Sequence, residues 1–267
     1  MKKLIIVSGL VLILVSAFPS KAVHADMAPP LPPPGANLVP GEEITQVRMA
    51  AETVTMTVSQ DPSDIRRAIA ITNAVFTMRN LGTVEEKMKA RFPLSFFNGA
   101  SDGYGNFPEI PSIRVKIDGK TVQTNRENQP LYNGDFPYSE REEIPWAVFD
   151  VTFPPGQDVT INVTYTVNGQ GMYPYEAFKY VLETGAGWNG TIGSADVIVR
   201  LPYEVNKANV WVESVSGYSE PTQGGALSGN EVRWHFDELE PTLEDNIEVI
   251  VVTPSLWESI LKEAVTV

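Results

Sequence analysis

Between Asp158 and Asn168 the chain reads "DVTINVTYTVN", in which Val159, Ile161, Val163, Tyr165 and Val167 alternate with Thr160, Asn162, Thr164 and Thr166. Apolar on one face and hydroxyl-bearing on the other, this is the period of a half-buried antiparallel strand. Similar stretches lie near 44–58, 67–79, 84–92, 112–117, 120–124, 146–153, 176–183, 192–201, 208–215, 230–236 and 246–252. Turn signals separate them, among them Asn80-Leu81-Gly82, Asp118-Gly119, Pro154-Pro155-Gly156 and Gly224-Gly225. A single helix is expected over 254–267, where Pro254 opens "PSLWESILKEAV" and Leu256, Ile260 and Leu261 share one side.

About a dozen strands without helical period between them exclude a doubly wound parallel sheet. They predict an all-β, antiparallel β-sandwich architecture with one short C-terminal helix. Two sandwich units are expected, 42–170 and 171–253, meeting at "NGQGMYP"; one larger sandwich is the alternative.

The N-terminus changes the picture. Lys2 and Lys3 precede an apolar run from Leu4 to Phe18, and small residues follow at Val23 and Ala25, so residues 1–25 read as a secretory signal peptide. The run is shorter than the roughly 20 residues of a membrane span, and no later segment comes closer, so no transmembrane domain is expected after cleavage. An uncleaved anchor is the second choice. Residues 26–41 hold "APPLPPPGANLVPG", with six prolines, and read as an extended spacer.

Losing Lys2, Lys3 and Lys21 from 20 basic residues, and none of the 33 acidic ones, takes the formal charge from −13 to −16. Nucleic acid is therefore not an expected partner. There is no cysteine, which excludes disulfides, thiolate metal sites and a cysteine nucleophile. Export without disulfides suggests a bacterial, extracytoplasmic protein that relies on its core.

Candidate chemistry is thin. Gly185, Gly187 and Gly190 in "GAGWNG" match the glycine pattern of a dinucleotide loop, but "TIGSADVIVRLP" follows as a strand, where phosphate binding needs a helix. The pattern is better read as a glycine-rich strand connection with Trp188 buried over it and a strand starting near Ile192. His235, the one histidine outside the signal, alternates with Trp234 and Phe236 and so faces outward. Ser259 and Lys262 fit S-x-x-K without companion motifs, and no G-x-S-x-G occurs.

Carboxylates gather in three loops, around Asp102, around Asp135, Glu140, Glu142 and Glu143, and around Asp237, Glu238, Glu240, Glu244 and Asp245. Such loops could hold calcium, yet none has the alternating acids of an EF-hand, and no cofactor or metal is expected. Exposed rings can stack on sugars or anchor a protein. Tyr132, Tyr138, Trp146 and Tyr173 are the candidate ligand-binding residues.

The stretch "YVLETGAGWNGTIGSADVIV" resembles the signature T-G-x-x-W-x-G-P-I-G of an uncharacterised family, a domain of unknown function, of exported bacterial β-sandwich proteins. Thr184, Gly185, Trp188, Gly190, Ile192 and Gly193 match it, and Thr191 replaces the proline. Further likeness lies in "AVFTMRNLG", "ARFPL", "FPPGQDVTINVTYTVNGQG" and "VRWHFDELEPTLEDNIEVIVV", spanning most of 45–252. The resemblance implies a secreted or cell-envelope location and transfers no catalytic residue. The leading expectation is a non-enzymatic interaction or structural module with an envelope protein as partner. The alternative is a module that binds or cleaves glycans.

Overall fold

The computed structural model describes residues 38–40, 45–95, 109–130, 143–211, 222 and 224–265. In chain order the strands are β1 (Val39–Pro40), β2 (Val47–Gln60), β3 (Ala68–Asn80), β4 (Glu86–Pro93), β5 (Ile113–Ile117), β6 (Lys120–Val122), β7 (Asn125–Pro130) and β8 (Glu143–Phe153). They continue with β9 (Asp158–Asn168), β10 (Tyr175–Tyr180), β11 (Ile192–Arg200), β12 (Val210–Trp211), β13 (Ala226–Ser228), β14 (Glu231–Leu239) and β15 (Ile247–Val252). The chain then forms helix α1 (Pro254–Val265).

These strands make three sheets. The largest has the order β13-β14-β11-β2-β3-β9-β5-β6, beside a four-stranded sheet β1-β4-β8-β7 and a three-stranded sheet β10-β15-β12. One buried apolar cluster draws on all three, joining Val54 and Phe76 of the large sheet to Phe92 and Phe149 of the second and Phe178 and Val249 of the third. Phe92 and Tyr165 meet across it with ring centroids 5.3 Å apart. Fully burying one such side chain contributes about 1.5–3 kcal/mol.

One expectation is corrected. The large sheet is not wholly antiparallel, because β11 lies parallel to β2, with Ala195 opposite Glu52 and Arg200 opposite Thr57. It combines β2, β3, β5, β6 and β9, from before residue 170, with β11, β13 and β14, from after it. Period-two patterning reports which face of a strand is buried, and says nothing about its neighbour.

The alternation of β2 carries a further detail. Val47 and Met49 are buried at odd positions, then Glu52, Val54, Met56 and Val58 at even ones. The register against β3 slips between Met49 and Ala51, and one extra residue there turns every later side chain to the other face. The slip places the Glu52 carboxyl inside the core, where the Tyr180 hydroxyl donates to it at 2.7 Å. Burial and the nearby Glu52 charge raise the Tyr180 hydroxyl well above its usual range.

Helix α1 is held by its first turn. Ser255 N–H donates to Gln60 Oε1 at 2.9 Å, and Trp257 packs against Tyr203 with centroids 6.0 Å apart. Ile260 and Leu261, on the side of the helix shared with Leu256, are exposed.

Candidate functional site

The signature loop is local scaffolding. Glu183–Gly187 forms a turn of 3-10 helix holding Thr184 and Gly185, Trp188 follows, and β11 starts at Ile192. Trp188 is 4% exposed, and its Nε1–H donates to the Leu38 carbonyl at 2.9 Å. Its ring meets Phe153 edge-on at 6.0 Å. The Asn189 amide donates to the Val47 carbonyl at 2.9 Å. Gly190 takes φ 68°, a left-handed turn that suits glycine.

At Gly193 a Cβ would stand 2.3 Å from the Ala50 carbonyl oxygen, at the slip in β2. The signature thus lets β11 press against the irregular strand beside it. Thr191, at the family's proline position, accepts from Arg48 Nη2 at 3.0 Å and donates to Glu238 Oε2 at 2.6 Å. That hydroxyl and the Arg48 guanidinium hold the Glu238 carboxyl below its usual range. A strand, not a helix, follows the glycines, so the loop lacks what a phosphate cradle needs.

Of the candidate ligand-binding rings, Tyr132 and Tyr138 lie outside the described residues. Trp146 is corrected: it is 1% exposed on β8, its Nε1–H donates to the Gln129 carbonyl at 3.3 Å, and the Arg91 guanidinium covers its ring at 5.2 Å. The strand expected from residue 146 begins three residues earlier, at Glu143, and places the Trp146 ring on its buried side. Tyr173 is exposed, in the connection from β9 to β10.

That connection, read from sequence as a boundary and as the place of the Tyr173 ring, gathers several exposed apolar side chains. Met172, Tyr173 and Tyr175 are exposed there, with Ile65 on the β2–β3 loop. The Tyr173–Pro174 peptide is cis. Tyr175 stands edge-on to Trp211 at 4.9 Å. Arg67 fastens the turn from below, donating from Nη1 to the Gly171 carbonyl at 3.1 Å and from Nη2 to the Gly169 carbonyl at 2.6 Å. Its Nε lies 3.1 Å from Oε1 of Glu176, whose side chain is fully buried. Burial pushes the Glu176 carboxyl up to about 7, against the pull of Arg67. The Thr253 amide donates to the Pro174 carbonyl at 2.9 Å and Ser255 Oγ to the Ile65 carbonyl at 2.5 Å, joining helix α1 to the same end.

Other ionisable groups are engaged in local structure. Lys179 is opposite Glu248 on the β10–β15 pair, and burial lowers the amine and raises the carboxyl. Asp196 accepts from His235 Nδ1 at 2.9 Å and Arg233 Nε at 3.0 Å. Asp245 accepts from the amide and hydroxyl of Thr242 at 2.7 and 2.8 Å. Among the described residues no three His, Asp or Glu side chains gather where they could hold a metal ion. Asp102, Asp135, Glu140 and Glu142 lie outside the described residues.

The class of protein this architecture defines is mostly β, three sheets around a shared core with one terminal helix. No protein-family model matches the chain, and no curated protein matches it. Among solved structures it is similar to a "putative nutrient binding protein" from Legionella pneumophila subsp. pneumophila str. Philadelphia 1, at 18% identity and a TM-score of 0.63 over 85% of this chain and 72% of that one. At that identity the likeness is one of fold. An M1 zinc metallopeptidase from Deinococcus radiodurans aligns more loosely, at 8% identity and a TM-score of 0.39, over 77% of this chain and 42% of that one.

Proposed function

We propose that this chain is an exported, bacterial β-sandwich protein of the cell envelope that acts by binding rather than catalysis, with the Gly169–Tyr175 turn as its contact surface. One observation carries the reading. Large apolar side chains, Met172, Tyr173 and Tyr175, are held open to solvent on a turn that Arg67 clamps by two carbonyls. Exposed apolar groups gathered in one place mark interaction sites more often than scattered ones do.

The turn also stands at a useful place. Leu38, in the last part of the proline-rich spacer, is fixed by Trp188 near Val47, the start of β2. Gly169 follows Asn168, which pairs with Ile69 beside the other end of β2. Strand β2 has 14 residues. At about 3.3 Å per residue the two ends are roughly 45 Å apart, so a spacer held at the membrane would present the turn outward. The description of the Legionella protein as nutrient-binding accords with a binding role.

The partner we favour is another envelope protein. Binding of a glycan or other small nutrient is the second reading, favoured by the two exposed tyrosine rings. A photoreactive residue at position 173, tested in the source organism against a control at Lys120, should cross-link to a single envelope protein only from position 173. Saccharide binding on a glycan array, lost in Tyr173→Ala, would favour the second reading. Neither cross-link nor glycan would overturn both.

A further inference from the structure

The Gly169–Tyr175 turn is also a seal. Beneath it the Glu176 side chain is wholly buried, and a Cβ on Gly169 would stand 2.5 Å from Glu176 Oε2, so the turn lies directly on the carboxyl. Gln170 and Ala177 exchange backbone hydrogen bonds of 3.0 and 2.6 Å, closing the turn onto β10. Among the described residues the cation that meets the carboxyl is Arg67, which also serves the Gly169 and Gly171 carbonyls. A charged carboxylate enclosed in this way is costly unless well paired, whereas a neutral carboxyl is tolerated.

We propose that the turn is an ionisation-gated flap, shut over a protonated Glu176 and released once Glu176 gives its proton to solvent, so that Met172, Tyr173 and Tyr175 are presented in two arrangements. The proposal deepens the reading of this turn as a contact surface and rests on it for its purpose, though not for its test.

The groups facing Glu176 set the window. From the β2–β3 loop come Arg67, which favours the charged form, and Asp64 and Asp61, which oppose it. The Ala68 amide favours the charged form as well. Across the small sheet Glu176 faces Val251, which pairs in turn with Val210, and neither carries charge. Burial outweighs these effects and puts the carboxyl at about 7, against an ordinary 4.5.

The sign follows from linkage. The shut form holds the proton more tightly than an open form with a hydrated carboxyl. Closure is therefore favoured in full below the ordinary carboxyl range, weakens as pH rises through the window, and levels off above about 7. Within the window the shut-to-open ratio changes by at most about tenfold per pH unit.

Hydrogen exchange of the amides of Gln170, Tyr175 and Ala177, corrected for the intrinsic effect of pH, reads the flap directly. In the full chain their protection should fall from about pH 5 to pH 7 and then level, while Glu176→Gln stays protected throughout. A flat profile in the natural chain, or the same slope in Glu176→Gln, would overturn the proposal. Should that variant fail to fold, carbon NMR of the Glu176 carboxyl in the natural chain decides. A midpoint near neutrality, moving together with the Tyr175 and Trp211 ring signals, supports the flap; a midpoint in the ordinary carboxyl range sinks it. These readouts need no partner, so failure to find one would overturn the contact reading and leave the flap standing.

Discussion

The two ends of β2 handle aromatic side chains in opposite ways. At the Val47 end Trp188 is enclosed, bonded to Leu38 and set against Phe153. At the Gln60 end Tyr173 and Tyr175 stand exposed on a turn underpinned by an arginine shared with a buried acid. The glycine-rich loop that looks like a binding motif packs against the core and leads into a strand, and the turn at the other end lies over the carboxyl with the unusual ionisation. Motif density and chemical readiness are separate properties, because glycines serve close packing as often as they serve ligands.

The largest expected effect tests the enclosed end. Trp188→Ala should cost about 3–5 kcal/mol in urea unfolding, since it empties a core site and leaves the Leu38 carbonyl without its donor. Tyr173→Ala should stay within about 0.5 kcal/mol of the natural chain. Equal losses at the two positions would break the contrast between the ends.

Next in size is a pH effect at the open end. A carboxyl raised in the folded state stabilises below its ordinary range and loses that contribution as pH climbs to about 7. Between about pH 5 and pH 8 the natural chain should lose about 2–3 kcal/mol that Glu176→Gln does not, by the free energy equivalent of the shift. Unfolding both proteins at several pH values isolates this group, because the other carboxyls are common to both. Parallel curves would place Glu176 in the ordinary range.

How far the sequence leads depends on the separation of the residues involved. The alternation from Val159 to Val167 is local and is seen as expected in β9, as is the strand start at Ile192. Strand β7, "NRENQP", has no apolar alternation of its own, although it pairs with the apolar stretch of β8 from Ile144 to Val148, so it left no periodic trace. The phase slip in "VRMAAETVTMTV" is visible as spacing, but its consequence, Glu52 inside against Tyr180, needs a partner 128 positions away. The parallel neighbour of β2 and the Arg67–Glu176 pair are likewise matters of topology. Tyr173 could be chosen from its glycine- and proline-rich surroundings, while for Trp146, at the start of an expected strand, the local pattern did not tell which face of the strand its ring would take.

A middling effect sharpens the scaffold side. Gly193→Ala sets a methyl against the Ala50 carbonyl, where backbone cannot yield freely, and should cost about 1–3 kcal/mol. Gly190 has open space around its missing side chain, so Gly190→Ala pays only for its left-handed backbone, about 1 kcal/mol. If Gly190→Ala were the worse of the two in chemical unfolding, the signature would be a turn requirement rather than a packing one.

The smallest effect comes from an ionisable group at neither end. His235 is raised above 6.5, first by its bond to Asp196 and further by the charges of Asp196 and Asp237, and about half of its side chain remains in solvent. Its contribution is fully present below the unfolded value and fades as pH rises through the folded one. Melting temperatures of the natural chain and His235→Gln should therefore differ slightly near pH 5.5 and converge near pH 8.5. Both His235 and Glu176 lose stability with rising pH, yet the losses have different origins. His235 gives up an attraction already weakened by water, whereas Glu176 acquires a charge in a place without water. If His235→Gln altered stability as strongly as Glu176→Gln, solvent exposure would not be what separates them, and the distinction between a shielded and an open ionisable group would fail with it.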